Sequence, residues 1–414
     1  MHAAILGGNW NNGVNAGSRS SNWNNYPWNS NDNIGARGRC DDPFMLGGAP
    51  RPRRQATARQ VVSSIHPASA NTLMDSGERG VVRRNPRPIN RMAKKYRNLI
   101  DKITSDENMR RAYRLTAKGK RSSLGFLSFK EYSELNLYNL AQSIRDGSYR
   151  PGQERAFTVY EPKPRQITAA SFTDRIAHHA LVGVIGPIFE ATLLPRTFAC
   201  RDGMGTHAGV TMLQSDLRRM GSPTYVLKTD FKKYFASIDR GVLNQIIRRK
   251  ISCARTLALI ETMTPPSGVG IPIGALTSQL YANIYAGEID RRLQCELGVK
   301  HWYRYMDDIV VLSRDIDHLR YVQQDLAHIA HNSLRLSFSR WSVQPASRGV
   351  NFLGYRVWPT HKLLRKSSVT RARRAIKTLR RNGNDDRLTK FLAAWTGHAG
   401  WADTHNLLSK LGVM

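Results

Sequence analysis

Three aspartates stand out for the company they keep. Asp230 closes an apolar run in LKTDFKKYF, and Asp307 and Asp308 form the centre of YRYMDDIVVL, 77 residues further on. Carboxylates at the ends of short apolar runs are hard oxygen ligands on stiff supports, and hard oxygens are what Mg²⁺ selects. Two such ions about 4 Å apart serve phosphoryl transfer: one activates the attacking 3′ oxygen, the other neutralises the leaving pyrophosphate. Taken alone, an Asp-Asp pair between apolar strands is more often a solvated turn. The surrounding pattern decides for chemistry.

Those aspartates need strands to carry them. Tyr225–Phe231 reads as a short β-run, Trp302–Ser313 as strand, turn and strand about Asp307 and Asp308, and Gly349–Trp358 as another strand region. Ala156–Thr168 alternates and holds Pro162 and Pro164, which predicts a hairpin with its tip at Glu161–Arg165. Apolar spacing predicts helices over Tyr132–Ile144 and Ile176–Leu194, and one long helix over Gly274–Leu297. From Lys362 to Arg381 there are nine Lys or Arg and no acid, on a predicted helix. A run of one sign without i,i+4 partners repels itself, so Lys362, Arg365, Lys366, Arg371, Arg373 and Arg374 read as contacts for a nucleic-acid backbone.

Composition points the same way. The chain has 414 residues, and 63 Lys and Arg against 31 Asp and Glu leave a formal charge of +32. Such a field favours polyanions, nucleic acid first. The longest apolar stretch, Ile176–Phe189, is interrupted by His178, His179, Gly183 and Pro187 and is too short to span a bilayer. The four cysteines lie at least 42 residues apart, so they form no zinc-ligand pair or compact disulfide framework. An intracellular, cytoplasmic protein without a membrane partner is the expectation. Globular patterning starts near Lys94. Residues 1–40 contain ten Asn and almost no aliphatic side chains, and residues 41–93 are rich in Arg, Pro and Ser. These read as a disordered tail and a basic linker.

The order DFKKYF, GIPIGALTSQLYANIY, YMDD resembles the reverse-transcriptase palm and fingers motifs, and the likeness runs from about Lys94 to the C-terminus. The stretches VYEPKPR, GTHAG, GVGIPIGALTSQ, NFLGYRVWPTHKLLRKSSV and GHAGWADTHNL are similar to one branch, the diversity-generating retroelement reverse transcriptases of bacteria and phages. That resemblance implies an α+β fold: a right-hand polymerase with fingers, a palm of antiparallel sheet plus helices (94–358) and a short helical thumb (359–414). It implies an RNA-directed DNA polymerase that uses two Mg²⁺ and dNTPs and copies a template RNA through an RNA–DNA duplex, with errors at adenines. It also implies an oligomeric accessory variability protein as partner. A group II intron-type reverse transcriptase or a non-catalytic RNA-binding scaffold is the alternative. Three clustered carboxylates left without metal would be costly, which argues against the scaffold.

The resemblance assigns further roles. Asp230, Asp307 and Asp308, with the carbonyl of Phe231, match the metal ligands. Lys163 and Arg165 match the residues that hold the incoming triphosphate, for which the arginine fork is suited. Phe235 matches the steric gate against a ribose 2′-OH; the plain alternative is a core aromatic. Phe352, Leu353 and Gly354 match the primer grip. Ile273 and Gly274 fall in the turn that contacts the incoming nucleotide, where related enzymes carry Gln in place of Ile273. A polar contact can reject a wrong substrate by about 10⁴–10⁵, an apolar one by only about 10–200-fold, so Ile273 implies loose checking of the base pair. In the stretch after the hairpin where many polymerases place a lysine acid, only Arg335 and Arg340 occur, leaving Arg340 or water as the proton source.

The Gly-Gly-Asn-Trp-Asn-Asn pattern of residues 7–40 resembles the variable tail of proteins that these retroelements diversify. Asn codons begin with two adenines and end in a pyrimidine, so randomising the adenines never creates a stop. The segment therefore reads as a template repeat translated in frame; the plain alternative is a polar tail.

Overall fold

The computed structural model describes residues 94–160 and 164–413. Four helices come first: α1 (Ile100–Ile103), α2 (Asp106–Ala117), α3 (Leu124–Glu131) and α4 (Ser133–Asp146). Ser105 and Ser123 cap α2 and α3 by accepting from the N–H of Asn108 and Phe126, and Gly147 ends α4 at φ 83°. An antiparallel hairpin follows, β1 (Arg155–Tyr160) and β2 (Pro164–Ala169). Arg165 lies in β2, opposite Val159, instead of at the expected tip. Glu161, Pro162 and Lys163 lie outside the described residues, as do the segments 1–40 and 41–93.

Helix α5 (Phe172–Glu190) begins four residues before the apolar run does, because Ser171 caps it: its Oγ accepts from the Asp174 N–H and donates to the Asp174 carboxylate. It ends at Glu190, where Thr192 Oγ1 takes the Phe189 carbonyl at 2.6 Å. Helix α6 (Thr206–Met220) leads to β3 (Tyr225–Phe231), then to α7 (Tyr234–Ser237), α8 (Arg240–Arg248) and α9 (Ala254–Met263). The expected helix over Gly274–Leu297 is shorter. Gly274 sits at φ 137°, outside helical space, so α10 starts at Leu276, runs to Arg291 and widens into a π-turn over Arg292–Glu296.

Strands β4 (Trp302–Tyr305) and β5 (Asp308–Ser313) form the anticipated hairpin. After α11 (Ile316–Leu334) comes β6 (Phe338–Pro345), then a small meander of β7 (Val350–Phe352), β8 (Tyr355–Val357) and β9 (Lys362–Leu364). Helices α12 (Lys366–Arg381), α13 (Asp385–Ala399) and α14 (His405–Lys410) complete the chain. The basic run from Lys362 is therefore not helical throughout. Lys362–Leu364 pairs with β8, Leu364 opposite Tyr355, and the helix starts only after Arg365.

The central sheet has the order β4-β5-β3-β6, every pair antiparallel. Period-2 alternation divides β3: Leu227 and Phe231 are buried, while Lys228 and Asp230 share the other face. α11 packs on β3, β5 and β6, and α6 lies against β4 and β8. Each fully buried Leu, Val or Phe contributes about 1.5–3 kcal/mol, and β5 supplies Ile309, Val310, Val311 and Leu312 in succession. No helix among the described residues is long and apolar enough to cross a membrane.

The β1–β2 hairpin is docked on the turn before α10. Thr168 N–H donates to the Ile273 carbonyl at 2.8 Å, and a Cβ on Gly274 would stand 2.1 Å from the Thr168 carbonyl oxygen. Gly274→Ala should therefore lower stability by about 1–3 kcal/mol through overpacking alone, before the added cost of its positive φ. Thermal denaturation measures this, and an unfolding temperature equal to the parent's would refute the contact.

Candidate active site

Sheet order puts the two acidic strands side by side. Asp230 faces Asp308 across the β3–β5 ladder, and Tyr305 pairs with Asp308 to close a two-residue turn of Met306 and Asp307. Asp307 thus stands at the apex of the hairpin, next to the end of β3. Met306 adopts φ 54°, at a turn position that favours glycine. A left-handed backbone costs an ordinary residue on the order of 1 kcal/mol; the Met306 side chain is fully buried and so anchored. A 3.3 Å hydrogen bond from the Phe231 N–H to the Asp307 carbonyl ties the end of β3 to the apex.

Like charges crowd this corner. Burial, then the charge of Asp308 and more weakly that of Asp230, push the Asp307 carboxyl up to about 7, while Arg165 favours its ionised form. Asp308 is buried and its carboxylate pairs with Lys228. Lys228 lies two residues before Asp230 on the same face of β3, and its ammonium also stands 5.7 Å from the Phe352 ring centre. Burial lowers the pKa of Lys228 and the Asp308 charge works against that. Arg340, on β6, is the cross-strand neighbour of Asp230 on its other side. A cavity of 690 Å³ is lined by Asp230, Asp307, Asp308, Lys228 and Arg340, together with Arg365 and Lys366 at the start of α12.

The other expected site residues that the structure describes are not among those lining this cavity. Phe235 is 5% exposed, edge-on to Tyr234, and its carbonyl accepts from the Ile271 N–H at 2.9 Å. Ile273 packs on the core and Gly274 underlies β2. Phe352 and Leu353 are buried, and with Gly354 at φ 91° they form the tight turn between β7 and β8. Arg365 N–H donates to the Gly354 carbonyl at 3.1 Å, joining that turn to the cavity wall. Lys362 is half-buried, its ammonium 6.0 Å from the Trp401 ring centre. Arg371 is half-buried, and Arg373 and Arg374 are exposed on α12. Lys163 lies outside the described residues. Lys228 was missed, although its i,i+2 spacing from Asp230 marks it as a neighbour of the acids.

The acids meet the demands of a divalent cation in chemistry: hard oxygens, mutual repulsion and an open cavity beside them. Among the described residues, no three His, Cys, Asp or Glu side chains already converge as a metal-binding group. Asp308 is turned to Lys228 instead.

Residues 158–357 match the family model for reverse transcriptase (RNA-dependent DNA polymerase). The chain is similar to the protein YkfC of Escherichia coli strain K12, 22% identical over 341 residues, which covers 69% of this chain and 87% of that protein. It is also similar to the group II intron-encoded protein LtrA of Lactococcus lactis subsp. cremoris, 26% identical over 173 residues, 39% of this chain. The chain spans only 28% of LtrA. Among solved structures, telomerase from Candida albicans in complex with a fragment of telomeric RNA matches with a TM-score of 0.41 and 9% identity, over 65% of this chain and 57% of that one. The match over residues 158–357 identifies that segment as a reverse transcriptase domain, the catalytic unit of an RNA-directed DNA polymerase, and the fold is a mixture of helices and sheets.

The raised Asp307 carboxyl has a thermodynamic consequence. In the unfolded chain this group ionises near 3.8, in the folded one near 7. The folded state is therefore penalised progressively from about pH 4 to pH 7 and fully above that. Without divalent cations, Asp307→Asn should be more stable than the parent at pH 8, by on the order of a few kcal/mol in the free energy of unfolding, with a smaller gain at pH 5. A gain independent of pH would show that Asp307 is not strained by charge.

Proposed function

We propose that this chain copies a template-repeat RNA into cDNA with errors directed at adenines, so that a target gene is diversified by mutagenic retrohoming. The observation that carries the polymerase reading is the pairing of Asp230 with Asp308 beside Asp307, on a cavity that Arg365 and Lys366 also line. Two Mg²⁺ held there by Asp230, Asp307, Asp308 and the Phe231 carbonyl would activate the primer 3′ oxygen and neutralise pyrophosphate. Asp308 would exchange Lys228 for metal. Arg165 and Lys163 hold the incoming dNTP, and Phe235 excludes a ribose 2′-OH. Phe352, Leu353 and Gly354 position the primer end. Arg373 and Arg374, exposed on α12, hold the backbone of the RNA–DNA duplex together with Lys362 and Arg371, and with Arg365 and Lys366 on the cavity wall.

The retroelement subtype rests on the motifs from VYEPKPR to GHAGWADTHNL and on Ile273 in place of glutamine. In this reading residues 1–40 are the translated template repeat, 41–93 a basic linker, 94–358 fingers and palm, and 359–414 the thumb. An oligomeric accessory protein helps bind the template RNA in the bacterial or phage-infected cytoplasm. The similarity to the intron-encoded protein favours a second reading, a group II intron-type reverse transcriptase. Primer extension on the RNA of the chain's own locus, with the products sequenced, separates them: errors concentrated at template adenines support the first, evenly scattered errors the second.

Asp230→Ala and Asp307→Ala should each abolish DNA synthesis, by at least about a thousandfold given the share of catalysis such ions supply, while RNA affinity stays near the parent's. Polymerisation retained with Mg²⁺ in either variant refutes the two-metal assignment. Ile273→Gln should lower misincorporation opposite adenine by at least about tenfold, a small part of the roughly 10⁴–10⁵ that a polar contact can supply; an unchanged error spectrum makes Ile273 a packing residue only. For residues 7–40 the neighbouring DNA decides. A nearby gene should end in a near-copy that differs almost solely at adenines, and its absence would end the template reading.

A further inference from the structure

The hairpin that presents Asp307 stands on a fully buried charge. Arg304, three residues before Asp307 on β4, is 0% exposed, and so are the neighbouring Trp302 and Tyr303. Its guanidinium places all five donors. Nε and Nη2 hold the Asp290 carboxylate at 2.7 Å each, in a bidentate pair. Nη2 also reaches the Asn283 carbonyl at 3.2 Å, and Nη1 reaches Asn283 Oδ1 at 3.3 Å. The last donation, 3.1 Å from Nη1, goes to the carbonyl of Met306. That carbonyl belongs to the left-handed residue immediately before Asp307.

The partners come from elements far apart in sequence. Asn283 and Asp290 are on α10, and Thr197 Oγ1 donates to Asp290 at 2.7 Å. Residues 196–198 run along the open edge of β4, with Arg304 N–H donating to the Arg196 carbonyl and Phe198 N–H to the Arg304 carbonyl, 3.0 Å each. A buried ion pair is weak support for stability, since removing two charges from water costs much of what their attraction returns. Its geometric effect is stronger. A planar guanidinium with every donor engaged has one orientation, and it transmits the position of α10 to the peptide at the hairpin apex.

We propose that Arg304, braced by Asp290 and Asn283, is a positioning residue that fixes the Met306 carbonyl and thereby aims the Asp307 carboxylate into the cavity. The assignment rests on the reading of Asp307 as catalytic. Arg304→Lys keeps the charge but cannot span Asp290, Asn283 and Met306 together. The paired change Arg304→Gln with Asp290→Asn removes both charges at once, so none is left buried and unpaired.

The test uses the full-length protein on oligo(dT)-primed poly(rA), with Asp307→Asn as reference. Four quantities are read: unfolding temperature, affinity for an RNA–DNA duplex, Mn²⁺ affinity of the free protein by electron paramagnetic resonance, and single-nucleotide kcat and KM. Displacement of a reacting group by about 1 Å costs about a hundredfold. Both Arg304 variants should accordingly lose about ten- to a hundredfold in kcat, with KM for dTTP and duplex affinity within about threefold. Their Mn²⁺ affinity should fall while they still unfold cooperatively. Parent-like kcat and Mn²⁺ affinity in a folded Arg304 variant overturn the proposal. Failure of both variants to fold also overturns it, by making Arg304 a core residue alone. If Asp307→Asn itself polymerises normally, it is the catalytic reading that fails; if it is inactive while the Arg304 variants are active, only the positioning role fails.

Discussion

Register between β3 and β5 is the constraint on which the site depends. It sets Asp230 against Asp308 and brings Asp307 to the adjacent apex. Like charges directly opposite one another destabilise a sheet, so the ladder must be held by something else. The apolar run Ile309–Leu312, buried between neighbouring strands and α11, does so. A slip of one residue would turn Lys228 and Asp230 of β3 to the face that buries Leu227 and Phe231, so the alternation of β3 permits one alignment. Burial first, and then the repulsion of Asp308 and Asp230, raise the carboxyl of Asp307.

Cations around the acids divide into two kinds. Lys228 and Arg340 flank Asp230 and Asp308 on the sheet itself, while Arg365 and Lys366 reach the cavity from the junction of β9 and α12. The first kind offsets the acids; the second extends a basic surface along α12, where Arg373, Arg374 and Lys377 are exposed. A chain with a formal charge of +32 can therefore keep a local acidic corner without losing its attraction for polyanions. The turn of Phe352, Leu353 and Gly354 connects the two kinds, since the Gly354 carbonyl accepts from Arg365 while Phe352 lies under the Lys228 ammonium.

Among the turns with unusual backbone, those at Gly274 and Met306 are held by different devices. Gly274 lies against the Thr168 carbonyl, so closeness to the β1–β2 hairpin excludes any side chain. Met306 carries a buried side chain at a positive φ, and its carbonyl is taken by Arg304. In both cases the turn is supported by an element distant in sequence, as expected where a sparsely populated conformation persists.

Much of this architecture is written locally. Apolar runs ending in Asp230 and flanking Asp307-Asp308 identify the strands, because alternation and β-branched residues act through neighbours along the chain. The Lys and Arg excess identifies a polyanion partner for the same reason, since charge needs no fold to be counted. Local pattern fell short where pairing partners lay elsewhere: Lys362–Leu364 became a strand because β8 was there to pair with. Helix α10 began after Gly274 because a hairpin from 100 residues earlier pressed on that glycine. Tertiary structure alone decided that Asp308 pairs with Lys228, that Phe235 is buried, and that Arg304 sits in the core. Each of these is a contact between segments whose separation in sequence carries no distance information, and only the packed sheet and its helices determine which charges meet.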